Sequence, residues 1–213
     1  MPAYFEIDFQ YQKSDITEST VEDFFSLLTS CGLVYRSGFW HSENDNLTDI
    51  LKWNQKKLQE DFVLGYTEHY FHDYKQMLFN FYVFSEVRLI VNNFSDDKSF
   101  SFCLIIPEDD FVDYDKANGD ERLVEKMEII KNLAVQMWSQ GKMNCIQTAW
   151  EGSDCVPDYK DIIKGTEPSI EPFAIVPDNT YCGTWNCSCE KTERNGVLLK
   201  NDDNWFYILN CCP

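Results

Sequence analysis

The chain of 213 residues carries 36 acidic and 18 basic side chains, which gives a formal charge of −18, together with 16 Phe, 11 Tyr and 6 Trp. This apolar and aromatic content can fill the core of one large domain or two small ones, so disorder is excluded as a description of the whole chain. The sequence has no stripe of Lys and Arg, and its charge repels phosphate. Binding to nucleic acid and to anionic membrane surfaces is therefore not expected.

The sequence also favours a soluble protein of a reducing compartment. Its longest apolar runs, such as 103–107, are far shorter than the roughly 20 residues that span a bilayer. The amino terminus has neither the basic region nor the apolar stretch of a signal peptide. The nine cysteines are an odd number, which is unusual for a disulfide-linked secreted domain. We expect a cytoplasmic location, with Cys31, Cys103 and Cys145 packed as small hydrophobic residues.

Hydrophobic periodicity predicts one strand and three helices between residues 3 and 141. Residues 3–12 alternate between apolar and polar side chains, which predicts a half-buried strand with an acidic outer face. A capping-box sequence at 19–22 begins a helix that ends at Gly32. A second helix is predicted at 47–62, where Asn54 interrupts the apolar stripe, and a third begins at Asp120 and stops at Gly141.

Aromatic and β-branched runs predict the remaining strands, which are placed at 77–84, 86–92, 99–106, 143–150, 173–176, 184–191, 197–200 and 205–209. A loop rich in Pro, Asp and Gly is predicted at 151–172, and Asn195-Gly196 indicates a hairpin turn. The order of elements predicts an α+β fold with about three helices and a mainly antiparallel sheet. We assign residues 1–151 to the core and 152–213 to a β-rich extension that docks on it or completes a second sheet.

An acidic segment is the densest charge feature, with seven acids and one base between residues 108 and 121. We interpret it as a surface for a basic protein partner. The candidate contact residues are Glu108, Asp109, Asp110, Asp113, Asp115 and Asp120. Part of the segment resembles a calcium-binding EF-hand loop, but aligning Gly119 and Glu125 places Tyr114 and Lys116 at ligand positions. A solvated acidic loop is the simpler interpretation, and no cofactor or metal is predicted.

Other groups of residues leave an enzyme hypothesis open. The spacing of Cys182, Cys187 and Cys189 is wrong for a zinc knuckle, so we interpret them as neighbouring thiols. His69 and His72, with Glu68 and Asp73, share one face if their segment is helical, which would suit a transition metal, but we prefer to interpret them as interfacial or turn histidines. No nucleophile elbow or glycine-rich phosphate loop occurs in the sequence. The enzyme hypothesis is therefore a metal-assisted hydrolase that uses the carboxylates of 108–120 or the histidine pair.

Aromatic residues near turns are candidates for anchoring a protein interface, because such anchors combine large apolar area with a polar handle. The candidates are Trp40, Trp53, Trp185 and Trp205.

The order of the predicted elements, which is a strand, a helix, hairpins and a further helix, resembles that of a known family. The hairpins end in Leu104-Ile105-Ile106-Pro107-Glu108-Asp109-Asp110, and the further helix leads into Cys145-Ile146-Gln147-Thr148-Ala149-Trp150-Glu151. Over residues 1–151 it resembles the immunity proteins of bacterial polymorphic toxin systems. The resemblance implies a small, non-enzymatic, acidic α+β antidote that covers a basic toxin or nuclease. The metal-assisted hydrolase and a purely structural domain remain alternatives, and the oligomeric state stays open.

Overall fold

One antiparallel sheet organises the chain. The computed structural model describes residues 3–63, 72–93, 98–111, 119–152, 156–180, 183 and 185–201, with the backbone alone at 119–122. The described strands are β1 (Tyr4–Gln12), β2 (Val34–Gly38), β3 (Met77–Phe81), β4 (Phe84–Asn93), β5 (Ser99–Pro107), β6 (Cys145–Trp150), β7 (Phe173–Pro177), β8 (Ser188–Thr192) and β9 (Gly196–Lys200). The described α-helices are α1 (Thr20–Ser30), α2 (Leu47–Gln59), α3 (Gly119–Gln140) and α4 (Tyr159–Ile162).

The described strands are arranged in the order β2-β3-β4-β5-β1-β6-β7-β9-β8, and every neighbouring pair is antiparallel. The predicted α+β fold with a mainly antiparallel sheet is therefore confirmed. β7, β8 and β9 lie beyond residue 151 and extend the same sheet. The division into a core and an extension at residue 151 stays a prediction, and the strand predicted at 205–209 lies outside the described residues.

β1 is the central strand and has two different faces. Its side chains alternate, so Phe5, Ile7 and Phe9 point to the main core, where all three are fully buried. Glu6, Asp8 and Gln10 occupy the opposite face, between β5 and β6. The predicted outer face is more covered than expected, because Asp8 and Gln10 are only 8% and 5% exposed.

The main core lies between one face of the sheet and the first three helices. α1 contributes Val21, Phe24 and Leu28 to it, and the ring of Phe24 stacks on Phe102 of β5 with centroids 4.1 Å apart. Burying a side chain of this size stabilises the fold by about 1.5–3 kcal/mol. Asn54 of α2 is also buried, because its amide bonds both the N–H and the C=O of Lys75, at 2.7 and 2.8 Å. It thereby fixes the chain that enters β3.

A smaller second core lies on the other face, over β6, β7 and β9. Ile162 of α4, Ile170 and Trp185 pack there against the face that carries Cys145 and Val176. The region predicted as a loop at 151–172 thus contains the short helix α4, and its residues Ile162 and Ile170 cover part of this face. The sheet has helices on one side and this irregular layer on part of the other.

The hairpin of β8 and β9 is tied to the end of α3. The N–H of the Trp138 indole donates to the carbonyl of Glu193 at 3.0 Å, and the guanidinium of Arg194 lies 5.1 Å from the indole ring. Arg194 also donates to the carbonyls of Trp138 and Gly141. A cation at a helix C-terminus satisfies unpaired carbonyls and complements the helix dipole. The hairpin of β8 and β9 is thereby held to the main layer of helices.

We expect Arg194→Ala to lower the free energy of unfolding by about 1–2 kcal/mol, because the substitution removes charge-assisted hydrogen bonds and a cation–π contact. Arg36→Ala is the matched control, since Arg36 is an exposed residue of the edge strand β2. Urea denaturation of both variants measures the difference. Equal stability of the two variants would contradict the described role of Arg194.

Candidate functional site

The predicted acidic segment begins with a single turn of 3-10 helix at Glu108–Asp110, directly after β5. Asp113 and Asp115 lie outside the described residues. The backbone of Asp120 belongs to the first turn of α3, and its side chain lies outside the described part. The structure therefore places three of the six candidate side chains, those of Glu108, Asp109 and Asp110.

Asp110 accepts hydrogen bonds that stabilise the fold. One oxygen of its carboxylate accepts hydrogen bonds from the backbone N–H and the hydroxyl of Ser85, at 2.8 and 2.9 Å. Ser85 is the second residue of β4, so this carboxylate ties the 108–110 turn to the neighbouring strand. Substituting Asp110 would therefore disturb the fold as well as the surface charge.

Four other carboxylates meet where β1 begins and where β5 and β6 end. The N–H of Glu108 donates to Ala3 at 2.9 Å, and the N–H of Glu151 donates to Tyr4 at 2.8 Å. These two residues consequently flank the start of β1 on either side, and Glu6 follows on β1 itself. We call Glu6, Glu108, Asp109 and Glu151 the acidic end of the sheet.

The residues of the acidic end repel one another. Burial raises the pKa of Glu6, and the charges of Asp8 and Glu151 raise it further. Burial also raises the pKa of Glu108, with added contributions from Asp109 and Glu151. Within the described part of the chain, none of the four carboxylates has an ion pair with Lys or Arg. The acidic end is thus a like-charged group that the described fold does not neutralise.

Arg88 is the nearby cation on the same sheet face, because it lies opposite Ile105, which in turn lies opposite Glu6. Its guanidinium charge is already neutralised by an ion pair on the same strand. The guanidinium pairs with Glu86 at 2.7 Å and lies over the rings of Tyr4 and Phe39, at 4.6 and 4.5 Å from their centroids. Arg88 is therefore engaged with Glu86 and two aromatic rings, and among the described residues no other Lys or Arg pairs with the acidic end.

Aromatic rings support this end of the sheet from the side of the main core. Phe111 contacts Phe5, Phe84 and Trp150, with centroid separations of 5.0, 5.4 and 5.5 Å, and Phe81 stacks on Phe84. Interdigitated aromatic pairs of this kind add packing energy beyond their buried area. The carboxylates therefore project from a rigid platform.

A second polar group lies under the layer that contains α4. Asp8 is flanked across the sheet by Cys103 and Gln147. Burial raises the pKa of Asp8 to about 6, while side-chain hydrogen bonds with Ser101 and Gln10 oppose the shift and the charge of Asp158 adds to it. Burial also raises the pKa of Cys103 well above its ordinary value. A thiol that remains protonated is a poor nucleophile, so this group has the properties of a buried structural site.

Two glutamines join that group to the covering segment. The side-chain amides of Gln10 and Gln147 both donate to the carbonyl of Pro157, at 3.0 and 2.8 Å. Their oxygens accept from the N–H groups of Tyr159 and Ser169, both at 2.8 Å. These bonds account for the burial of polar side chains here and fix the segment over the sheet.

Only some of the residues considered as metal ligands lie in the described part of the chain. His72 is exposed, whereas His69 and Cys182 lie outside the described residues. Cys187 is half-buried and Cys189 is exposed. Across the described ranges, no three His, Cys, Asp or Glu side chains are placed to share a metal ion.

The tryptophans proposed as anchors have different environments. Trp185 is buried in the second core, and Trp205 lies outside the described residues. The Trp53 indole donates to the carbonyl of Asp73 at 2.8 Å. Trp40 is 51% exposed and, together with Trp53, lines a cleft of about 260 Å³.

That cleft contains its own cation. The ammonium of Lys75 pairs with Asp45 at 2.6 Å and lies 4.8 Å from the centroid of the Trp53 ring. The ammonium of Lys75 therefore pairs with both the carboxylate and the aromatic ring that line the cleft. This arrangement stabilises the junction between α2 and β3.

The sequence matches no protein-family model, and no curated protein or solved structure is significantly similar to it. In the described part of the chain, no helix combines the length and the apolar character that crossing a membrane requires.

Glu6 and Glu151 were not among the residues predicted from sequence to form the site. Glu6 lies about a hundred residues before the acidic segment and Glu151 about thirty residues after it, and antiparallel pairing on β1 brings them to it. The alternation of 3–12 placed Glu6 on the polar face of its strand. The signal for Glu151 was only its position directly after a strand, which does not identify the strand's neighbour.

Proposed function

We propose that the protein is a non-enzymatic acidic binding protein, an immunity or inhibitor protein that covers the basic surface of a toxin or nuclease. The observation that carries the proposal is the acidic end, where the charge of Glu151 adds to burial in raising the pKa of Glu6, and the charges of Asp109 and Glu151 add to burial in raising the pKa of Glu108. Within the described part of the chain, no Lys or Arg forms an ion pair with these four carboxylates. Such a group costs folding free energy, which a basic partner recovers on binding. The charge of −18 adds a long-range field that accelerates association with a cationic protein.

A cytoplasmic setting belongs to the same proposal. Cys31, Cys103, Cys145, Cys187 and Cys189 form no disulfide, as is usual for proteins of reducing compartments. An inhibitor of this kind acts inside the cell that produces it, where it meets the toxin before the toxin meets its substrate.

The proposal predicts that the double variant Asp109→Lys/Glu151→Lys loses its partner. Both residues are exposed, so the change reverses charge at the acidic end with little effect on packing. The matched control is Glu18→Lys/Glu190→Lys, which makes the same change in net charge at exposed positions of the loop before α1 and of β8. Immobilised wild-type chain and both variants are incubated with a lysate of the source cells at low salt, and the retained proteins are identified by mass spectrometry.

We expect the wild-type chain and the control to retain the same basic protein in stoichiometric amount, and the acidic-end variant to retain at least about tenfold less of it. Retention by all three chains would show that binding does not use the acidic end. Retention of no basic protein by the wild-type chain would contradict the proposed function itself.

A further inference from the structure

The turn between β3 and β4 has an unusual composition. Tyr82 and Val83 form this two-residue turn, with Phe81 paired to Phe84 across its base. Tyr82 has a φ of +45°, a left-handed conformation in which such hairpins normally place Asn, Asp or Gly. The sequence thus holds a large aromatic side chain where the backbone favours a small or amide residue.

The side chains of this turn point into solvent. Tyr82 is 77% exposed and Val83 is 64% exposed, and Val34 at the start of β2 is 60% exposed. Val34 lies opposite Asn80, next to the turn. The ring of Tyr82 meets the edge of Phe81 with centroids 4.8 Å apart, while its hydroxyl makes no hydrogen bond within the described residues. Packing of the fold therefore gives no reason for the strained conformation or for the exposed apolar surface.

The turn lies at the same end of the sheet as the four carboxylates. Ser85, two residues after Val83, is bonded to Asp110 of the 108–110 turn. Phe84 contacts Phe111 at 5.4 Å between centroids, and Phe111 contacts Trp150, which precedes Glu151. The exposed apolar side chains and the acidic end consequently form adjoining parts of one surface on one rigid platform.

We propose that Tyr82, Val83 and Val34 are the apolar anchor of the surface that binds the basic partner, and that Tyr82 inserts into an apolar recess surrounded by Lys and Arg on that partner. This inference rests on the proposed function. Protein interfaces combine a central aromatic anchor with a polar rim, and the acidic end supplies a rim whose charge complements such a partner. The aromatic platform holds the anchor in place before binding, which reduces the entropy lost on association.

The test is the variant Tyr82→Asn, which replaces the side chain with one suited to the turn. The probe is the basic protein that immobilised wild-type chain retains from source-cell lysate at low salt, purified and titrated against each variant by calorimetry. We expect its affinity to fall about 30-fold, as for an interface hot spot, while the melting temperature of the free variant stays equal or rises. Ile163→Ser is the control, because Ile163 is 54% exposed and lies next to α4, away from the turn. The affinity of this control for the basic protein is expected to stay within about twofold of the wild-type value.

Val83→Thr is a second variant that keeps the shape of the side chain and removes apolar surface, and a severalfold loss of affinity is expected. Unchanged affinity of both turn variants would overturn the inference and leave the proposed function standing. A loss of equal size in Ile163→Ser would also overturn it, because the effect would not be specific to the turn. If the wild-type chain retains no basic protein, the inference falls together with the proposed function.

Discussion

Replacing Asp8 by Asn is expected to stabilise the protein at pH 8 and to change its stability little at pH 4. Asp8 lies on the central strand, is 8% exposed and faces the buried thiols of Cys103 and Cys145 together with the carboxylate of Asp158. Burial raises the pKa of Asp8 to about 6 from an ordinary value of 3.8, and no cation among the described residues opposes the shift. The ionised carboxylate is therefore held in an environment that favours its neutral form.

The direction of the pH dependence follows from proton binding. Because the pKa of Asp8 is higher in the folded state, the folded chain binds more protons than the unfolded chain between pH 3.8 and about 6. The contribution of Asp8 to stability is consequently complete below pH 3.8 and is lost as the pH rises through 6. A shift of this size corresponds to about 3 kcal/mol in total, of which about 2–3 kcal/mol lies between pH 4 and pH 8.

The measurement is the free energy of unfolding of wild-type protein and Asp8→Asn by urea denaturation at pH 4, 6 and 8. The difference between the two proteins should move in favour of the variant by about 2–3 kcal/mol from pH 4 to pH 8. Comparing the same two proteins at each pH cancels the contributions of the other acids. A difference that stays constant with pH, or that moves against the variant, would show that Asp8 is not a buried carboxyl of raised pKa.

Gln147→Leu is expected to be the most destabilising single change among the polar residues discussed. Gln147 is fully buried, and its amide bonds the carbonyl of Pro157 and the N–H of Ser169, both at 2.8 Å. Leu has nearly the same volume but leaves the N–H of Ser169 without its partner and weakens the bonding of Pro157. The unsatisfied N–H of Ser169 costs about 1–3 kcal/mol, and the lost hydrogen bond to Pro157, whose carbonyl still accepts from Gln10, costs about 0.5–1.5 kcal/mol, so we expect a loss of about 2–4 kcal/mol.

Gln136→Leu is the control, because Gln136 is an exposed residue of α3 and its substitution should change stability by about 0.5 kcal/mol or less. Hydrogen exchange provides the local measurement. In Gln147→Leu the amides of 159 and 169 should lose protection before those of β1 and β5, since the covering segment is released first. Intact protection of these amides, with wild-type stability, would contradict the assigned role of Gln147.

Helix α1 illustrates what local sequence patterns can predict. Its apolar spacing placed it correctly, and Gly32, with a φ of +97°, is the stop that the sequence indicated. The capping mechanism was different from the expected one. The hydroxyl of Ser19 donates to the carboxylate of Asp23 at 2.9 Å and does not cap a backbone N–H. Local patterns thus identified the helix, whereas the detailed hydrogen bonding depended on which side chain was in reach.

The turn between β3 and β4 shows where the same patterns fail. The sequence predicted strands at 77–84 and 86–92, but the first ends at Phe81 and the next begins at Phe84. The turn has no Gly, Pro, Asn or Asp, and four aromatic or β-branched residues run through it, so its composition indicates a continuous strand. A strained turn made of strand-forming residues cannot be recognised from propensity.

The acidic end could be predicted only in part for a different reason. The acidic segment supplied Glu108 and Asp109, but Glu6 and Glu151 join them through a strand order in which β1 lies between β5 and β6. The sequence of one chain gives the faces of each strand and does not give the identity of its neighbours. The full set of carboxylates therefore required the structure.

The most direct test of the account is the association rate constant with the captured basic partner, measured by stopped-flow fluorescence as a function of salt concentration. For the wild-type chain and Glu18→Lys/Glu190→Lys we predict fast association that falls steeply as salt is raised. For Asp109→Lys/Glu151→Lys we predict an association rate at least about tenfold lower at low salt and a much weaker salt dependence. The same rate and the same salt dependence in all three proteins would contradict the claim that the acidic end of the sheet binds the partner.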